Sequence, residues 1–235
     1  MLLTHETRWQ LRMLLRDRTA AFFTLIFPIV LLILLARQVG KDHSDILSMG
    51  ITVAVVMASF PALAISLAAA VENGVLHRLR TTPLPLRIHL AGRMAASGVL
   101  TIVSVVMVII AAHLMGFGIT QSNLLGLMLP LALGWLVASA WGLFVGAYTR
   151  KVSSASFLTQ ILLFPLYILE SFLIAGGLPG WLEALALWSP LHQLVATASA
   201  SLGGNLLTAW TAVVYLTALA LVGFLLAAGK LRTAR

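Results

Sequence analysis

The stretch VENGVLHRLRTTPLP, residues 71–85, puts a carboxylate, a histidine, two arginines and two prolines side by side. It stands between an uncharged run at residues 46–71 and another at residues 94–149. Runs of that length suit a hydrocarbon solvent, because a helix needs about 20 mainly apolar residues to cross a core of about 30 Å. The composition agrees. Hydrophobic residues make up 60% of the chain, charged residues 9%, and the mean hydropathy is +1.03, far from the roughly 45–50% apolar and about 25% charged of soluble domains. The chain reads as an integral membrane protein, and residues 71–85 as one of its loops.

Working outward from that loop, six spans are expected. The first two are residues 19–36 and 46–71, which carry no charge. The uncharged run after the loop is too long for one crossing, and GFGITQSN at residues 116–123 divides it into spans at 90–114 and 124–148. A fifth span, 153–173, is stopped by IAGGLPG, and the sixth is 206–229. Residues 178–205 are apolar but hold Pro179, Glu183, Pro190 and a Gly203-Gly204-Asn205 break. They read as one or two short interfacial or re-entrant helices. The expected fold class is therefore all-α integral membrane: six transmembrane helices, an N-terminal amphipathic helix at residues 1–18, a cytoplasmic loop at 72–87 and short helices before the last span, in a single domain spanning 1–235.

Charge fixes the side of each loop, because cytoplasmic loops carry an excess of Lys and Arg. With an inside N-terminus, thirteen of the fifteen basic residues fall inside, all but Arg37 and Lys41, and Asp42 and Asp45 balance those two. A seventh span would move the basic C-terminal tail outside, so both termini are expected in the cytoplasm. The formal net charge of +8 is then topogenic. No basic aromatic patch points to nucleic acid. The absence of cysteine removes disulfides, thiolate metal sites and a cysteine nucleophile.

The opening residues MLLTHETRWQLRMLLRDR lack the order and cleavage site of a removable signal peptide. His5, Arg8, Arg12 and Arg16 form one polar stripe at helical spacing, Leu3, Leu11 and Leu14 lie opposite, and Trp9 and Met13 flank them. Such a helix lies on the lipid surface, as a topogenic flank of the first span or as an elbow that transmits motion into it.

Candidate chemistry is sparse. No phosphate-binding loop, nucleophile elbow or HExxH zinc motif occurs, and the seven carboxylates are scattered over different loops. His89, His113 and His192 fall at predicted span ends and read as interfacial. Glu170, in FPLYILESFLIAGG, is the one carboxylate placed within a span. It reads as a snorkelling carboxylate or helix-terminal cap, with a substrate or cation site as the alternative.

Residues 71–80 can continue as helix until Pro83-Leu84-Pro85 stops it. Val75, Leu76 and Leu79 would form an apolar edge amid His77, Arg78 and Arg80. A topogenic loop needs only its arginines. Helix, proline brake and exposed leucines together suit docking into a groove on a soluble partner.

The stretch ENGVLHRLRTTPLP, residues 72–85, resembles the ExGTLxxLxxTPL pattern of the membrane subunits of type-2 ATP-binding-cassette exporters, with Val75 where threonine is common. LLRDRTAAFFTLIFPIVLLIL, residues 14–34, is similar to that family's basic elbow helix and first span. LPGWLEALALWSPLHQLVAT, residues 178–197, echoes its region before the last span. LESFLIAGG departs from the Ser-Gly pair and proline common in relatives. The resemblance implies two permease subunits, the same or homologous, each laying its first cytoplasmic loop into a cleft of an ATPase pair. Glu72, Gly74, Arg78, Leu79, Arg80, Thr82, Pro83 and Leu84 would form the coupling element, and Arg8, Trp9, Arg12 and Arg16 the elbow. The chain itself would bind no cofactor and no metal and would not be an enzyme; ATP and Mg would sit on the partner. Cargo would pass between spans one, two and five, with Phe22, Phe23, Phe27, Phe60, Phe164, Tyr167 and Glu170 as candidate lining. An apolar, aromatic path favours a drug, antibiotic or lipid-like cargo over small ions, and its efflux is what the resemblance implies. A secondary carrier without an ATPase and a membrane enzyme are the competing classes.

Overall fold

The computed structural model describes residues 22–38, 43–75, 86–117, 125–203 and 209–233. Among them the chain is helical and no strand occurs. A π turn, Phe22–Ile26, runs into α1 (Phe27–Gln38). Then come α2 (His43–Glu72), α3 (Leu86–Leu114), α4 (Met128–Thr149), α5 (Val152–Ala175), the short α6 (Gly180–Leu187) and α7 (Pro190–Leu202), and α8 (Trp210–Thr233). Helices α2, α3, α4, α5 and α8 are long and apolar enough to cross a membrane, and residues Phe22–Arg37 form a shorter apolar helix. The chain is an all-α, multi-pass membrane protein.

Local sequence sets the helix ends. α3 starts at Leu86, directly after Pro85, four residues earlier than the expected span. α4 starts at Met128, because the helix begun at Leu125 is interrupted by a turn at Leu127. α5 ends where Gly176 adopts φ 75°, and the amides of Gly176 and Gly177 close onto the Leu173 and Phe172 carbonyls. The segment expected to hold short helices holds α6 and α7. Ser189 caps α7 by accepting the His192 amide at 3.0 Å, and Pro190 takes the first helical position. Helix does not run unbroken past Glu72, and residues 76–80 lie outside the described residues. α2 stops at Glu72, followed by a turn in which Gly74 takes φ 67°, a left-handed conformation that glycine enters without steric cost.

α2 is the most buried span and packs against α1, α3, α4, α5 and α7. Small residues make this possible. On α4, Gly134, Ala138, Gly142 and Gly146 recur every four residues and form one face. A Cβ at Gly142 would lie 2.7 Å from the Phe60 carbonyl oxygen, and one at Gly146 would lie 2.6 Å from that of Ala64. The two backbones touch because neither glycine has a side chain, the small-xxx-small packing that drives association where lipid offers no hydrophobic force.

Polar side chains join helices elsewhere. Ser59 on α2 meets Thr101 on α3 at 2.8 Å. The Trp135 indole donates to Ser97, and that of Trp141 to the Leu219 carbonyl, both at 3.2 Å. Pro28, at the start of α1, has no N–H to offer the carbonyl of Thr24 four residues back. The hydroxyl of Ser104, from α3, donates to that carbonyl at 2.6 Å in a buried site. At the end of the bundle where α4 and α8 finish, Lys230 Nζ lies 5.2 Å from the Tyr148 ring centroid.

Gly146→Ala should destabilise the protein by about 1–3 kcal/mol, because the added methyl meets backbone rather than a movable side chain. Gly229→Ala, where a Cβ would meet nothing within 4 Å, should be neutral or stabilise by up to roughly 1 kcal/mol through helix propensity. Thermal unfolding in detergent, followed by tryptophan fluorescence, compares the two signs.

Candidate functional site

At one end of the bundle α2 finishes, α4 finishes and α5 begins. Glu72 is the last residue of α2, and its Oε2 accepts the backbone N–H of Val152, the first residue of α5, at 2.7 Å. The link from α4 to α5 is only Arg150 and Lys151. Arg150 takes φ 55°, the one positive φ of a non-glycine among the described residues, and Lys151 is extended. Gly74 makes the turn that leads on from Glu72. Arg78, Leu79, Arg80, Thr82, Pro83 and Leu84, and the elbow residues Arg8, Trp9, Arg12 and Arg16, lie outside the described residues.

The aromatic candidates divide. Phe22 and Phe23 meet edge to face with centroids 5.5 Å apart, Phe23 and Phe27 are 5.9 Å apart, and Phe27 and Phe164 are 6.4 Å apart. These four rings form a chain from the π turn through α1 to α5. Phe60 and Tyr167 belong instead to the buried core. Phe60 faces a second feature, a cavity of about 280 Å³ bounded by α2, α4, α5, α7 and α8 and lined by apolar side chains including Val137, Trp141, Leu166, Leu191 and Leu219.

Glu170 is neither snorkelling nor a helix cap. Its side chain is 1% exposed, and Oε1 lies 3.1 Å from Nδ1 of His192 on α7. The carboxylate sits five residues short of the end of α5, on the face covered by α7, so packing closes the route to water. Three polar atoms on α5 are buried without a hydrogen-bond partner: Gln160 Oε1, the Tyr167 hydroxyl oxygen and Glu170 Oε2. Buried polar groups are normally paired, so this face is chemically distinctive. Sequence reading missed Gln160 and the pairing of His192; the 160–167–170 spacing, close to a helical repeat, is the signal that marks the face.

The other histidines also differ in setting. His89 is buried, and its Nε2 accepts from Arg93 Nε at 3.0 Å, while His113 is exposed at the end of α3. Among the described residues no three His, Asp or Glu side chains converge as a metal site would require.

An apolar helical bundle with its charges at the ends, one enclosed carboxylate and an aromatic chain between the first helix and α5 has the architecture of a membrane transport protein. The comparison with known families makes this specific: residues 3–203 match the ABC-2 type transporter family, and the chain belongs to it. It is thus a permease, the membrane component of an ATP-binding-cassette transporter, and this family works with an ATPase partner. No curated protein matches the chain.

His192→Ala would leave the enclosed Glu170 carboxylate without a partner for either oxygen, and should cost on the order of 1–3 kcal/mol. Glu170→Gln keeps an acceptor for the ring N–H without a charge, so its midpoint should stay closer to wild type. Unfolding of both variants in the same detergent tests the order.

Proposed function

We propose that this permease is the membrane subunit of an exporter that moves a hydrophobic or amphipathic molecule, drug-like or lipid-like, out across the cytoplasmic membrane. A separate pair of ATPase subunits energises it, holding the ATP and Mg. Two permease subunits face each other, of the same or homologous sequence, with both termini of each in the cytoplasm. The segment after Glu72 docks on the ATPase: Leu79 fills a pocket, Arg78 and Arg80 meet acidic groups, and Thr82, Pro83 and Leu84 stiffen the elbow. The residues from Arg8 to Arg16 rest on the lipid surface.

The family membership carries this reading, and the distribution of polarity supports it. Among the described residues the spans carry their Asp, Glu, Lys and Arg towards their ends, Glu170 is enclosed, and the rings of Phe22, Phe23, Phe27 and Phe164 give an apolar solute an aromatic surface at the edge of α5. A small ion would instead need fixed ligands to replace its hydration shell. Closure of the ATPase pair pushes the docked segment, α5 tilts against the α2–α4 centre, and the cargo moves along the aromatic surface between subunits.

Leu79→Asp puts a charge in the docking pocket and should weaken ATPase binding by roughly tenfold or more, the usual cost of losing a central anchor; Arg80→Glu should act in the same direction. Co-purification of the ATPase with the permease, and export from inverted vesicles supplied with ATP, read both effects. Uptake driven without any ATPase, unchanged by either substitution, would replace this reading by a secondary carrier.

A further inference from the structure

The beginning of a helix exposes amide donors with no intrahelical partner, and the start of α5 is poorly equipped to satisfy its own. Its N-cap residue is Lys151, in extended conformation with φ −130° and ψ 138°, and no side chain of the cap accepts a hydrogen bond. A lysine has donors only. The missing acceptor comes from Glu72, whose Oε2 takes the Val152 amide at 2.7 Å across a separation of 80 residues. The bond is short and charge-assisted, and the carboxylate sits at the positive end of the α5 dipole.

The surroundings make this contact a mechanical one. Glu72 is the last residue of α2, and the chain turns at Gly74 immediately afterwards into the segment read above as the ATPase-docking element. α2 is the most buried span and α5 the least, so within this chain α5 is held by less packing than α2. α5 carries Phe164, at the end of the aromatic chain, and Tyr167 and Glu170 on its buried face. The only covalent link into α5 is the pair Arg150 and Lys151, with Arg150 held at φ 55°, a conformation that disfavours a side-chain-bearing residue. A residue strained in this way persists where neighbouring contacts fix the chain on both sides.

We propose that Glu72 is a positioning residue: it transmits displacement of the docking segment to α5 by capping that helix, and it does not itself contact the ATPase. This departs from its place among the partner-facing residues and rests on the reading of residues 76–85 as the docking element. Movement of that element then reaches two helices at once, α2 through the chain and α5 through one hydrogen bond.

The test uses the full-length permease, alone and with its ATPase, in four forms: wild type, Glu72→Ala, Glu72→Gln, and Glu72→Ala combined with Lys151→Asn. The asparagine supplies a local N-cap in the extended backbone that caps favour. In the permease alone, amide exchange at Val152 should be about fivefold faster in Glu72→Ala and near wild type in Glu72→Gln, as the worth of a cap implies; in the double variant protection should appear instead at residues 153–154, whose amides an N-cap side chain reaches. In the complex, Glu72→Ala should keep the ATPase bound while transport per ATP hydrolysed falls. Glu72→Gln should retain most of the coupling, and the double variant should protect residues 153–154 without regaining transport.

Exchange at Val152 that is unaffected by Glu72→Ala would overturn the proposal. Loss of ATPase co-purification in Glu72→Ala would too, since Glu72 would then face the partner. Full recovery of transport in the double variant would reduce the residue to a helix stabiliser. The exchange measurement needs no partner, so failure of wild-type permease to bind any ATPase would refute the docking reading while leaving the Glu72–Val152 bond separately decided.

Discussion

Hydrocarbon offers no hydrogen-bond partner to a polypeptide, and every part of this structure answers to that constraint. It makes each span a helix, which satisfies its own backbone, and it makes every interruption of a helix a local problem. Pro28 frees the Thr24 carbonyl and Ser104 reaches across from α3 to serve it. At an exposed end of the bundle, outside the hydrocarbon, Lys151 cannot cap α5 and Glu72 reaches across from α2 to do so. In both places a defect in one helix is repaired by a neighbour, and the repair ties the two together.

The same solvent removes the hydrophobic drive between helices, so close contact has to come from shape. α4 meets α2 through glycines that let carbonyl oxygens approach to where a methyl group would sit. Side chains of Ser59, Thr101, Trp135 and Trp141 add hydrogen bonds around this contact. α2 and α4 thereby form the rigid centre, while α5 and α8 are more open. A transporter needs such a division, because one set of helices has to hold still while another tilts.

Within that frame the polar groups that are not at helix ends become informative. Glu170, Tyr167 and Gln160 lie on the covered side of α5, each with an atom left unpaired, and His192 from α7 supplies one bond to the carboxylate. These groups lie on the same helix whose first turn is held by Glu72, and burial without a full set of partners is costly for each of them.

The helical, membrane-spanning class of the protein was legible in its sequence, because uncharged runs of the right length have one stable form in lipid. So were the glycine stop after α5, the short helices within residues 178–205 and the polar stretch that joins α2 to α3. The unbroken run of helix past Glu72 was misread because Gly74 permits a left-handed turn without requiring one; its neighbours decide. Glu170 was misread as reaching for water because burial depends on whether α7 covers α5, which no local pattern encodes. The bonds joining Glu72 to Val152 and Ser104 to Thr24 span 80 residues each, and that between Glu170 and His192 spans 22. The sequence by itself determined where helices form and which ends are charged, since those follow from short-range hydrogen bonding and solvation. Which helices are fastened to one another was decided only by the tertiary structure, because one side chain meeting one distant backbone group leaves no periodicity to read.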